Sequence, residues 1–145
     1  MIGSEPSLAR FSEQPCQHVA LDPEPRAATE ARKFVAEAVA DRAGVEVAAQ
    51  VALLTSELVT NAVVHARTPI ELGVVQDDDR ILVAVGDRRS APPKVPEHRP
   101  ERAGGRGLWL VGQLSDTWGV TAYEKGKSVW FTIRCATDRV GGGRR

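Results

Sequence analysis

The strand-like segments of this chain come in pairs with a short turn between them, and this pairing limits the fold more than any other feature. Residues 70–76 and 80–85 are apolar, rich in β-branched side chains and joined by three aspartates. Residues 118–123 and 128–135 form a second pair around a Glu-Lys-Gly-Lys turn. A short turn can join only antiparallel strands, because a parallel connection needs a crossover of a dozen or more residues. The sequence therefore predicts two hairpins in one sheet.

Segments with helical periodicity separate these strands. A first helix is predicted over residues 22–42, with Asp22 as the capping carboxylate, and a second over residues 46–66. The second helix carries an apolar stripe at spacings of three and four residues, formed by Val47, Val51, Leu54, Leu58 and Ala62. A short third helix follows Gly105, and residues 16–21 could form an edge strand. Three helices on one face of a mixed, mainly antiparallel sheet give a two-layer α/β (α+β) sandwich.

The composition is typical of one soluble domain. Hydrophobic residues make up 42% of the chain and charged residues 26%, which excludes disorder as a description of the whole. We expect residues 1–15 to be a flexible leader, residues 16–136 the domain and residues 137–145 a flexible tail. Within the domain, the segment 88–104 is rich in proline and charge, and it is either a lid over a ligand or a solvated loop.

Charge and cysteine content exclude several functional classes. The 19 Lys and Arg are balanced by 19 Asp and Glu, so the basic excess of a nucleic-acid-binding protein is not found. Cys16 and Cys135 lie far apart in sequence, so we expect reduced thiols rather than a disulfide framework or a cysteine-pair metal site. No apolar run approaches the ~20 residues of a membrane span. We therefore expect a cytoplasmic protein that contacts neither nucleic acid nor membrane directly.

Three polar residues of the second helix are candidates for chemistry. Glu57, Asn61 and His65 are spaced four apart and share one stripe beside the apolar stripe. Side chains at such a border point either into a cleft or along a solvated face. His65 lies near the helix end, where it could instead bond the last carbonyl groups or interact with the helix dipole.

Two further features could bind a ligand. Asp87 follows an apolar strand, where it could accept a hydrogen bond at the mouth of a pocket or simply form a turn. The run Gly104-Gly105-Arg106-Gly107-Leu108 then opens the third helix. Glycine lets backbone amides approach an anion closely, and a helix start presents unpaired N–H groups. This glycine box is therefore either a phosphate cradle or a flexible hinge.

Together, these features resemble the GHKL-type ATP-binding fold of DNA gyrase, sensor histidine kinases and heat-shock chaperones, a histidine-kinase-like ATPase fold. The resemblance covers about residues 22–135 and is closest to the stand-alone branch of bacterial anti-sigma factors with serine/threonine kinase activity. The segment Glu57–Ala62 resembles the first box of the family, Gly105–Leu108 its second glycine box, and Gly126–Phe131 its late turn and strand. Asp87 stands where the adenine-recognising aspartate of the family belongs.

The resemblance implies a role for each candidate residue. Glu57 would be the catalytic base toward an attacking hydroxyl, and Asn61 would place its side-chain oxygen on Mg²⁺. Asp87 would accept a hydrogen bond from the amino group of adenine, which selects ATP over GTP, and Ser128 would support the adenine site directly or through water. The phosphates would be bound by Gly105, Arg106, Gly107 and Leu108.

The resemblance also implies a regulatory function. The chain would be a homodimer that binds ATP with Mg²⁺, sequesters a sigma factor and phosphorylates a serine or threonine of an anti-sigma antagonist. The chain departs from the family pattern after Asp87. The family normally has glycines two and four residues after this aspartate, whereas this chain has Arg89 and Ala91. This departure favours the alternative, a non-catalytic protein-interaction module of the same fold with weak or no nucleotide binding.

Overall fold

The computed structural model describes residues 16–77, 79–89 and 106–135. In chain order, these residues form β1 (Cys16–Leu21), α1 (Ala27–Ala38), α2 (Val45–Asn61), β2 (Ile70–Gln76), β3 (Arg80–Asp87), α3 (Arg106–Leu114), β4 (Thr117–Tyr123) and β5 (Gly126–Arg134). A π-helical turn, Ala62–Ala66, continues α2. The predicted leader, the predicted tail and residues 90–104 of the lid-like segment lie outside the described residues.

The strands form one sheet in the order β1-β2-β3-β5-β4, with every neighbouring pair antiparallel. Both predicted hairpins are present, as the pairs β2–β3 and β4–β5. The central pairing joins β3 to β5 and places Asp87 opposite Lys127. The predicted two-layer α+β sandwich is confirmed.

One face of the sheet packs against the helices and encloses the main core. Successive side chains of a strand alternate between the two faces, and on β3 the residues Ile81, Val83 and Val85 enter this core. The helices contribute their apolar stripes, which include Ala27, Ala31, Val35, Val51, Leu54, Leu58 and Val59. Asp87 lies two residues beyond Val85, so its side chain also projects toward the helices.

The opposite face of the sheet carries a smaller apolar cluster. Leu82 and Trp130 are buried there, and Val75 and Ala84 pack against them. A shallow depression of about 390 Å³ opens on this face beside Cys16 and extends to the ends of β3 and β5. The sheet therefore separates this depression from the contact between α2 and α3.

The first helix is shorter than predicted. It begins at Ala27, and Arg26 rather than Asp22 occupies the N-cap position, with no side-chain hydrogen bond at the cap. The physical reason is Pro25, because proline disfavours helical backbone at the residue before it and keeps the preceding segment in a turn. The helix also ends sooner than predicted, at Ala38.

The second predicted helix is an α-helix followed by a wider turn. α2 begins at Val45, with Gly44 at its N-cap, and ends at Asn61. The π-helical turn then closes through the N–H of Arg67, which donates to the carbonyl of Ala62 at 3.0 Å. Arg67 has a left-handed backbone with a φ of 60° and ends the helix. Such turns are rare and occur frequently at functional sites.

By length and composition alone, the 22-residue helix Val45–Ala66 is apolar enough to cross a membrane, because an 18-residue stretch of it has a mean hydropathy of 1.5. By this measure the expectation that no apolar run approaches the length of a membrane span was wrong, although polar residues such as Glu57 interrupt the helix. Here the helix packs on the sheet, and Val51, Leu54 and Leu58 belong to the main core. A core helix of a water-soluble domain passes the same test, so the hydropathy is weak support for a membrane span.

Candidate functional site

The glycine box and the polar stripe of α2 meet at Gly107 and Glu57. Gly107 is buried in the first turn of α3, and a Cβ atom at this position would lie 3.0 Å from Glu57 Oε1 and 3.1 Å from Glu57 Cβ. Few Cβ atoms in proteins have contacts this short, so the missing side chain lets the two helices approach closely. Two segments that the sequence predicted to share a site are therefore in contact.

The glycine box of the sequence leads into the first described turn of α3. The described part of α3 begins at Arg106, directly after the glycine run of the sequence, and backbone N–H groups in the first turn of a helix have no partner within it. These N–H groups and the positive end of the helix dipole favour negative charge. The side chain of Leu108 is buried in the main core and holds this turn in place. Gly105 and the side chain of Arg106 lie outside the described part of the chain.

Asn61 lies at the end of α2, one turn after Glu57. Both residues are half-buried, while Leu58 and Ala62 between and beside them are buried in the core. This is the burial expected of a polar stripe at the border between core and cleft. His65 lies in the π-helical turn with an exposed side chain, and its carbonyl accepts a hydrogen bond from a guanidinium group described below.

Asp87 ends β3 and forms an ion pair with Lys127 of β5. The ammonium nitrogen of Lys127 lies 3.0 Å from Asp87 Oδ2 and 3.1 Å from Oδ1, and it also donates to the carbonyl of Arg89 at 3.0 Å. The side chain of Asp87 is 5% exposed and that of Lys127 is 9% exposed. Removing one partner of such a buried pair leaves an uncompensated charge, which typically costs about 3–5 kcal/mol. Lys127 was not among the residues that the sequence indicated.

The residues after Asp87 are tied to the segment that follows α2. The N–H of Arg88 donates to Thr68 Oγ1 at 2.9 Å, and the N–H of Arg89 donates to Asp87 Oδ1 at 2.8 Å. The guanidinium of Arg89 donates to the carbonyl of His65 in the π-helical turn. Arg89, which stands where the family pattern has glycine, thus connects the end of β3 to this turn. Ala91 lies outside the described residues.

The side chain of Ser128 does not face that of Asp87, although both residues border the depression described above. It is paired with Gly86 across the sheet, and alternation along β5 directs its side chain away from the face that carries Asp87 and Lys127. Ser128 borders that depression together with Asp87 and Lys127. The side chain of β5 that meets Asp87 is therefore that of Lys127.

The start of β5 lies unusually close to the end of β3. A Cβ atom at Gly126 would overlap the carbonyl oxygen of Asp87 and would lie 3.1 Å from the Cα of Arg88. Glycine therefore allows the two strands to close together here. This close approach fixes the backbone of Lys127 beside the Asp87 carboxylate.

The two cysteines remain thiols in this fold. Cys16 is exposed at the start of β1, and Cys135 is buried after β5. Partial burial raises the pKa of the Cys16 thiol, and a hydrogen bond with the backbone of Val74 has a smaller, opposing effect. Within residues 16–77, 79–89 and 106–135, no group of three or more His, Cys, Asp or Glu is arranged to hold a metal ion.

Comparison with known proteins agrees with this geometry. The crystal structure of the RsbU and RsbW domains of Rv1364c from Mycobacterium tuberculosis superposes on this chain with a TM-score of 0.64 and 23% identity, which shows a shared fold. The match covers 83% of this chain and 32% of that one, so this chain spans about a third of its length. No curated protein matches the sequence significantly. Residues 21–133 match the family model of the histidine kinase-like ATPase domain, and the chain belongs to this family.

Proposed function

We propose that this chain binds ATP with Mg²⁺ between α2 and the first turn of α3, and that it is a serine/threonine protein kinase of the anti-sigma-factor type. The observation that carries the proposal is the contact between Gly107 and Glu57. It sets a carboxylate beside a helix N-terminus that favours phosphate, with the amide of Asn61 one turn away. Membership of the ATPase family supports the nucleotide.

The donor set of the described residues fits a magnesium nucleotide. Mg²⁺ is usually bound through one or two protein oxygens together with phosphates and waters, so an acidic cluster is not required. Asn61 would supply the protein oxygen, while the N–H groups of Gly107 and Leu108 would bind phosphate oxygens, together with Gly105 and Arg106. When bound, the ion neutralises negative charge on the phosphates.

Glu57 would act on the substrate hydroxyl. In its ionised form the carboxylate would accept the proton of a serine or threonine hydroxyl as that oxygen attacks the γ-phosphorus and the bond from phosphorus to the leaving oxygen of ADP breaks. The backbone at Gly107 packs against Glu57 and limits the positions that the carboxylate can take. Phosphoryl transfer depends on positioning more than on covalent chemistry, so this restraint is the main contribution of α3 to the step.

The proposed partners are a sigma factor and an anti-sigma antagonist protein, with the chain acting as a cytoplasmic homodimer. Direct binding to nucleic acid or membrane is not part of the proposal. The support is the order of the motifs, together with the likeness in fold to a chain that contains an RsbW domain.

Substitution of Glu57 tests the catalytic assignment. In Glu57→Gln, transfer of labelled phosphate to an antagonist recovered from the native host should fall by about 100-fold or more, because the amide cannot accept the proton. The ATP affinity measured by calorimetry should stay within about twofold. Glu46→Gln, an exposed position in the first turn of α2, is the matched control and should transfer at the original rate. Full activity of Glu57→Gln would contradict the role of base.

A non-catalytic interaction module of the same fold is the second candidate. The ion pair between Asp87 and Lys127 favours it, because the carboxylate expected to bind adenine is already occupied. Calorimetric titration with ATP and Mg²⁺ distinguishes the two functions. Heat that saturates at one site per chain supports the kinase, whereas flat traces at high ligand concentration support the module.

A further inference from the structure

Lys127 pairs with the carboxylate of Asp87, the group to which the resemblance assigns the adenine base. We propose that Lys127 is a specificity-determining residue, whose ammonium replaces the amino group of adenine as the partner of Asp87. The site would then bind purine nucleoside triphosphates through their phosphates, with little preference for a base that carries the amino group. This inference rests on the proposed binding of a nucleotide, and it adds a statement about which bases the site accepts.

The hydrogen-bonding capacity of Asp87 is almost fully used. An ionised carboxylate has about four lone-pair positions, two on each oxygen. Oδ1 accepts from Lys127 at 3.1 Å and from the N–H of Arg89 at 2.8 Å, and Oδ2 accepts from Lys127 at 3.0 Å. One position on Oδ2 remains, but the side chain is only 5% exposed. An incoming amino group must therefore displace the ammonium of Lys127.

The ammonium of Lys127 is equally well satisfied. It has three N–H donors, and three acceptors lie within 3.1 Å, namely both oxygens of Asp87 and the carbonyl of Arg89. A charged donor binds a carboxylate more strongly than the neutral amino group of a base does. In a direct competition for Asp87, the lysine is therefore favoured.

The backbone holds this pair in register. Asp87 and Lys127 are directly opposite in the β3–β5 ladder, and Gly126 brings the two strands into close contact at this point. The pairing is thus a consequence of the sheet and differs from a chance contact between long surface side chains, which contributes little.

Two nucleotides that differ only in the amino group provide the test. The affinities of ATP and of purine riboside triphosphate, which carries hydrogen in its place, are measured with Mg²⁺ for the full chain and for Lys127→Met. The unsubstituted chain should bind both within about threefold. Lys127→Met keeps the apolar stem and frees Asp87, so it should prefer ATP by about tenfold, the size of one hydrogen bond. Lys125→Met, in the exposed turn before β5, is the control and should behave like the unsubstituted chain.

A second variant keeps the test usable if Lys127→Met does not fold. In the double variant Asp87→Asn with Lys127→Met, no charge is left unpaired, and the amide oxygen can still accept from the amino group. This protein should also prefer ATP. If the unsubstituted chain already prefers ATP by tenfold, or if neither folded variant gains a preference, Lys127 does not have this role although the nucleotide site stands. If no protein in the series binds either triphosphate, the proposed function fails and this inference fails with it.

Discussion

Gly107 controls the distance between the first turn of α3 and the carboxylate of Glu57. In Gly107→Ala, the new methyl group would lie 3.0 Å from Glu57 Oε1 and 3.3 Å from the Glu57 carbonyl oxygen, so one of the two helices must move. We expect a loss of about 1–3 kcal/mol in the free energy of unfolding, as in other overpacked sites, and weaker ATP binding. Urea unfolding and calorimetry measure the two effects.

Gly112 provides a control within the same helix. It is exposed, and the nearest atom to a Cβ at this position is Trp118 Nε1 at 3.5 Å. Alanine favours helical backbone over glycine by about 0.8–1.0 kcal/mol, so Gly112→Ala should keep or increase stability and leave ATP binding unchanged. An equal loss of stability in both variants would show that the contact with Glu57 is not the cause.

For individual residues, the sequence indicated candidates whose positions follow from spacing along one helix. It did not indicate candidates whose positions depend on the register between two strands. Glu57 and Asn61 were identifiable because their spacing places them on one helical stripe. Lys127 was not, because its partner is set by which residue of β5 lies opposite Asp87, some forty positions earlier in the chain. The resemblance implied that Ser128 supports the adenine site directly or through water, and the register places its side chain on the other face of the sheet from that of Lys127.

Among the elements, strands were predicted more accurately than helix ends. The bounds of β1 and β2 agree with the prediction, because residues typical of turns lie next to both segments, at Pro15 and Asp22 and at Pro69 and Asp77. The start of α1 was misplaced, since Asp22 resembles a cap but Pro25 delays the helix. The π-helical turn after Asn61 was not predicted, because its hydrogen bonds leave no apolar periodicity to recognise.

The closeness of β3 and β5 gives a prediction for one glycine. In Gly126→Ala, the methyl group would overlap the carbonyl oxygen of Asp87, so the end of the β3–β5 ladder must open. We expect a loss of about 1–3 kcal/mol in the free energy of unfolding, measured in urea.

Gly73→Ala on β2 is the matched control. The nearest atoms to a Cβ at Gly73 lie 3.9 Å away, which is ordinary contact. Its urea midpoint should therefore remain close to that of the unsubstituted chain. If Gly126→Ala were as stable as Gly73→Ala, the two strands would not be in close contact in solution.

For the whole molecule, ligand binding should appear as added stability. A ligand that binds only the folded state stabilises it by about 2.7 kcal/mol at 100 times its Kd, which corresponds to roughly 5–10 °C in Tm for a domain of this size. We expect ATP with Mg²⁺ to raise Tm by this amount in thermal unfolding, and removal of Mg²⁺ by a chelator to reduce the shift. In Asn61→Ala the chelator should make little further difference. An unchanged Tm at millimolar ATP would count against the nucleotide site.

At this scale the fold was predictable from the order of elements. Two hairpins and three amphipathic helices allow few arrangements other than a two-layer sandwich. The resemblance, placed at about residues 22–135, agrees with the family match over residues 21–133. The sequence could not show that the sheet has a second, partly apolar face with a depression, because that depends on which strands are neighbours.

The π-helical turn after Asn61 has a consequence for tolerance to deletion. Its closing bond spans from Ala62 to Arg67, so the turn contains one residue more than an α-helical turn. Deleting a single residue from Ala62–Ala66 would convert it to ordinary helix without displacing Glu57 or Asn61. The deletion would instead move the carbonyl of His65, which accepts the hydrogen bond from the guanidinium of Arg89. The length of the segment after α2 can therefore change while the positions of Glu57 and Asn61 stay the same.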